Sequence, residues 1–107
     1  MKNNYKVITL CGSTRFKNEF FAAQKALTLG GNIVISVGVF GHDPDLTKEE
    51  QQYIENNKQM LDDMHKRKID MADAIMIISP NGYVGKSTKS EIEYAKAHNK
   101  EVLYWEQ

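Results

Sequence analysis

The chain has 107 residues, 41% of them apolar and 26% charged, with 14 basic side chains balancing 14 acidic ones. Those figures fit one folded domain over residues 1–107 and exclude a disordered chain or a basic protein held to nucleic-acid polymers by charge. A single cysteine excludes an intramolecular disulfide framework, and no apolar run spans a bilayer or forms a signal-peptide core, so a cytoplasmic protein with no membrane partner is expected.

Lys6–Cys11 is apolar and β-branched and is stopped by Gly12, the pattern of a buried strand. Ser13 and Thr14 offer helix caps, and Phe16, Phe20, Ala23 and Leu27 recur at helical spacing until Gly30-Gly31 ends the run. Residues 32–37 read as a second strand, followed by a glycine-rich loop from Gly38 to Asp45. Thr47, with Glu49 and Glu50 behind it, caps a long polar helix whose thin apolar stripe is Tyr53, Met60, Leu61 and Met64. The methionines occupy core-like positions. Ala74–Ile78 is the most clearly buried strand, Ser79–Gly85 a turn-rich loop, Ser87–His98 a helix with Ile92 and Ala95 inward, and Glu101–Trp105 a last strand.

This alternation specifies an α/β fold: a three-layer sandwich whose parallel sheet has four strands, with a fifth allowed, and helices on both faces. Ligands of such sheets bind beyond the carboxyl ends of the strands. The segments Gly12–Phe16, Gly38–Asp45 and Ser79–Glu91 should therefore line any cleft.

In Cys11-Gly12-Ser13-Thr14-Arg15 a glycine permits close approach and a helix N-terminus offers free N–H groups. Arg15, read as lying in the first turn, opposes the helix dipole and so suggests an anion to neutralise; a plain Ser or Thr cap is the alternative. Gly85-Lys86-Ser87-Thr88 resembles the end of a nucleotide-phosphate loop, but Pro80 occupies the place of that motif's first glycine. Thr88-Lys89-Ser90-Glu91 has capping-box spacing. The same first-turn position would hold Glu91 ionised toward the cleft, as a carboxylate nucleophile requires. His42 and Asp43 lie in the second loop, where a turn is the plainer reading. His65 is expected on a solvated helix face and Cys11 in the core. None of the histidines has metal-ligand spacing, so no metal is expected.

Ile8–Arg15, Ile69–Ala74 and Gly85 through Glu91-Ile92-Glu93-Tyr94-Ala95, in that order, resemble the nucleoside 2-deoxyribosyltransferase family, which includes deoxynucleoside 5′-monophosphate N-glycosidases. The resemblance implies a flavodoxin-like or Rossmann-like sheet and a catalytic glutamate at Glu91. It also implies phosphate contacts from Gly12, Ser13 and Arg15, to which the Gly85 and Ser87 turn is added. The chain departs from the transferases in having Thr9 and Leu10 where they carry a tyrosine, and His65 and Gly85 where they carry aspartates. His42, Asp43 and His65 are the candidates for contacts to base or sugar.

The expected function is cleavage or transfer at the N-glycosidic bond of a 2′-deoxynucleoside or its 5′-monophosphate, without cofactor. The alternative is a non-catalytic nucleotide-binding or sensing module on the same fold. A homodimer is expected from the small core and from Phe21, an apolar side chain beyond the stripe of the first helix.

Overall fold

Alternate residues of the first strand serve opposite faces of the sheet, and this fixes where each helix packs. The computed structural model describes residues 4–106. It contains strands β1 (Val7–Gly12), β2 (Ile33–Ile35), β3 (Ala74–Ile78) and β4 (Glu101–Tyr104), and helices α1 (Lys17–Leu29), α2 (Lys48–Asn56), α3 (Lys58–Asp70) and α4 (Lys86–Ala97). The four strands form one parallel sheet in the order β2-β1-β3-β4. Ile8, Leu10, Ala74, Met76 and Ile78 pack with Phe20 and Ala23 of α1. Cys11, Ile75 and Ile77 pack on the other face with Ile69 of α3 and Ala95 of α4. One helix thus covers one face and two cover the other, as right-handed crossovers to this strand order require. No helix among the described residues is long and apolar enough to cross a membrane.

Several elements differ from the sequence expectation for local reasons. The single long helix is two, α2 and α3, divided at Asn57, whose backbone leaves helical geometry and whose side-chain amide donates to the Tyr53 carbonyl oxygen at 2.8 Å. A side chain that bonds the preceding turn competes with the helix ladder. The expected stripe is therefore not a core seam: Tyr53, Met60 and Met64 are exposed, as is Met71, and Met76 alone of the described methionines is buried. Ser13 and Thr14 do not cap α1. Its N-cap is Phe16, and the Ser13 hydroxyl instead accepts from the Arg15 N–H at 3.3 Å within a preceding turn. Arg15 therefore lies before the helix, and the dipole argument for its role lapses. The Thr47 cap does form, reciprocated by Glu50. Phe21 is half exposed, with its ring edge against Phe40 at 5.6 Å.

Gly12 is the last residue of β1 and pairs with Ile78. A Cβ there would lie 2.6 Å from the Ile78 carbonyl oxygen, a collision with main chain that no rotamer relieves. Gly12→Ala is expected to lower stability by about 1–3 kcal/mol, read as a lower urea midpoint at constant slope; an unchanged midpoint would show that the strand tip yields.

Candidate functional site

The strand order reverses between β1 and β3, so the chain leaves these neighbours in opposite directions and a crevice opens beyond their carboxyl ends. A cleft of about 600 Å³ lies there, within the range of small-molecule sites. The three expected segments contribute Gly12–Arg15, Gly38 to His42 and Tyr83 to Glu91. A fourth wall comes from α2 and α3; His65, a candidate contact from the sequence, lies on it, and the residues the sequence did not point to are Ile54 and Glu55 of α2 and Leu61, Met64 and Lys68 of α3.

The turn after β1 presents Ser13 and Arg15 to the cleft, with the Arg15 guanidinium 4.9 Å above the Tyr83 ring. Phe16 meets the same ring edge-on at 5.7 Å, so Tyr83 ties the turn after β1 to the loop after β3. Opposite stands the N-terminus of α4. Its N-cap is Gly85, with no side-chain cap, and Lys86, Ser87 and Thr88 open the helix facing the cleft. The first N–H groups of a helix lack intrahelical partners and favour an anion. Lys58 joins them, 3.5 Å from the Ser87 hydroxyl and 2.9 Å from Asp62.

This earlier start of α4 removes the expected capping box. Thr88 is the third residue of the helix and is buried, so it cannot adopt the extended cap conformation. Glu91 consequently sits in the second turn, beyond the reach of the first-turn dipole that was expected to hold it ionised. Burial dominates instead and pushes its carboxyl up to about 7, with Asp62 adding to the rise and the Cys11 thiol, Lys66 and Lys58 opposing it.

His65 is likewise a correction. It is buried, not solvated, with Nε2 3.1 Å from the Leu10 carbonyl oxygen and 3.5 Å from Cys11 Sγ. Burial, with help from Lys68, drops its pKa to about 4 and keeps it neutral near pH 7. The signal was available: His65 is four residues after Leu61 and four before Ile69, on the inward face of the helix. Cys11 is fully buried as expected, and burial, together with Glu91, pushes its thiol up. An un-ionised thiol of this kind is a poor nucleophile.

His42 lies at the mouth of the cleft, its Nδ1 3.1 Å from the Thr14 hydroxyl. Asp43 does not line it. Its carboxylate takes the Lys17 ammonium at 2.8 Å and the Asp45 N–H at 3.0 Å, and these partners hold its pKa below the ordinary carboxylate value. No family model matches the chain, and no curated protein matches it significantly.

Two groups in the cleft give opposite linkage signs. The unfolded chain takes a proton on histidine near the ordinary 6.5, whereas folded His65 takes one only near 4, so its contribution makes stability rise with pH between those values. Folded Glu91 keeps its proton to about 7 against an ordinary 4.5, so its contribution makes stability fall with pH across that interval. The first is worth at most about 3 kcal/mol, and the second less, because Glu91 opens to solvent. The two largely cancel in the wild type. Urea melts from mildly acidic to neutral pH should show His65→Gln losing stability as pH rises and Glu91→Gln gaining it; parallel profiles for all three proteins would refute the assignment.

Proposed function

We propose that this chain cleaves or transfers the N-glycosidic bond of a 2′-deoxynucleoside or its 5′-monophosphate, with Glu91 as nucleophile. The observation that carries the reading is a partly buried carboxyl on the floor of a roughly nucleotide-sized cleft, facing an arginine-bearing glycine turn and an uncapped helix N-terminus. The ordered motifs that resemble the nucleoside 2-deoxyribosyltransferases support it. In this reading Glu91 attacks C1′ through an oxocarbenium-like transition state and forms a glycosyl-enzyme. Water or a second base then displaces it with overall retention. Leu61, Met64 and Ile54 give the cleft an apolar wall against the sugar or base.

Ser13, Arg15 and the Gly85–Ser87 turn would hold the 5′-phosphate, with Lys58 beside them. The departing base needs a proton, and of the candidate base contacts His42, Asp43 and His65, His65 is neutral and occupied by Leu10, and Asp43 is committed to Lys17. His42, at the cleft mouth, is the one that remains. One observation favours the alternative of a non-catalytic nucleotide-binding module: a carboxyl titrating near 7 is only partly ionised at neutral pH. Release of free base from a panel of deoxynucleosides and deoxynucleotides separates the two readings.

Glu91→Gln should fold and bind while losing base release, and full turnover in that variant would remove the nucleophile assignment. Because attack needs the carboxylate, kcat/KM of the wild type should climb with pH until about 7 and then level. A profile that falls through this range would make Glu91 a proton donor instead.

Arg15→Ala is expected to weaken monophosphate binding about tenfold or more, the worth of a charge-assisted hydrogen bond, and to leave the matching nucleoside nearly unaffected. Calorimetric titration with both ligands checks this; equal losses would argue against a phosphate subsite at the turn.

A further inference from the structure

Cys11, His65 and Glu91 are far apart in sequence, on β1, α3 and α4, yet each brings one donor atom to the same point at the base of the cleft. Those three atoms lie within 4.8 Å of one another. We propose that they form a binding site for a thiophilic divalent cation, Zn²⁺ or its analogue Co²⁺, with the fourth position open to the cleft.

One pair of donors already has the spacing of a tetrahedral centre. Zinc–sulfur and zinc–nitrogen bonds of about 2.3 and 2.0 Å at a tetrahedral angle place sulfur and nitrogen about 3.5 Å apart. Cys11 Sγ and His65 Nε2 are 3.5 Å apart. The donor set of one sulfur, one imidazole nitrogen and one carboxylate suits zinc and suits magnesium or calcium poorly. Charge also closes: coordination expels to solvent the thiol proton and any proton on the carboxyl, and the thiolate and carboxylate then neutralise a doubly charged ion in a region where net charge is costly. Nε2 would exchange its contact with the Leu10 carbonyl oxygen for the metal, the imidazole switching tautomer so that its proton sits on Nδ1. His65 and Glu91 both line the cleft while Cys11 lies fully buried behind them, so an ion enters from the cleft side and its open position faces back into it.

Such a site was invisible to spacing motifs because its three ligands come from three elements. It is independent of the glycosidic reading but would interact with it: a cation on Glu91 occupies the proposed nucleophile, so Zn²⁺ would inhibit.

Titrating the tag-free, metal-free protein with Co²⁺ tests the proposal. The chain contains one cysteine, so a thiolate-to-cobalt charge-transfer band can arise only from Cys11. Expected is saturation at one equivalent, with that band and the intense visible absorption of a tetrahedral centre, both abolished by Zn²⁺. Cys11→Ser should lose the band, and it and Glu91→Gln should each weaken zinc about tenfold or more in competition with a chromophoric chelator. Absence of saturable binding at micromolar metal, or binding to the wild type without the charge-transfer band, overturns the site. Unchanged zinc affinity in Glu91→Gln overturns it too, and that variant and the wild-type spectrum decide the matter even if Cys11→Ser does not fold.

Discussion

The pairing of β1 with β3 is the contact on which the remaining architecture depends. Ile8 to Gly12 run in register beside Ala74 to Ile78 in the middle of the sheet, and every side chain of β3 is buried. Parallel neighbours that hand the chain to opposite sides must leave a gap at their carboxyl ends, and the cleft is that gap. The same register places Cys11 on the face covered by α3 and α4, under His65 and Glu91, and brings Gly12 so close to Ile78 that no side chain fits between them. Site geometry is therefore inherited from strand register and not built by loops alone.

Around this contact the cleft carries an unusual balance. An apolar sheet face ends in a thiol and an imidazole that stay un-ionised at neutral pH and a carboxyl that is only partly ionised there, all for the same reason, that burial penalises the charged form of each. Elsewhere the cleft is lined by Arg15 over Tyr83, by Lys86 at the uncapped N-terminus of α4, and by Lys58, which is paired with Asp62. A molecule with an anionic end and a less polar body matches that lining.

Period and composition made most of the fold readable. The β-branched runs at Val7 and Ala74 and the helical recurrence of Phe20 and Ala23 depend on burial, which leaves its imprint on sequence. What stayed hidden depended on competition between local alternatives. Asn57 looks like any polar residue in a polar helix, and only its bond to Tyr53 makes it a break. Thr88 and Glu91 have the spacing of a cap, but Gly85 starts the helix first and converts both into inward-facing residues. Ser13 spends its hydroxyl on its own turn. His65 was misplaced because charged neighbours on α3 suggested solvent, although its spacing from Leu61 and Ile69 pointed inward. Gly12, Ser13, Arg15, Gly85, Ser87, His42 and Glu91 do converge on one cleft, because the carboxyl ends of parallel strands leave them nowhere else to go.

The division at Asn57 also separates two kinds of wall. Helix α3 is anchored by His65 and Ile69, whereas α2 buries no residue at all and is only nine residues long. A helix of that length is marginal in water without tertiary support. Its support comes from the Thr47–Glu50 cap, the Gln52–Asn56 bond, the Asn57 amide on the Tyr53 carbonyl and the partly covered Ile54. One side of the cleft is thus walled by a segment that packs on α3 and buries no residue of its own. Any ligand reaching Ile54 and Glu55 steadies those two and a half turns of helix, which makes affinity depend on solvent conditions that favour helices. It also makes the α2 amides a natural recorder of occupancy: their exchange with deuterium slows when the cleft fills, even for a ligand with no colour, fluorescence or turnover of its own.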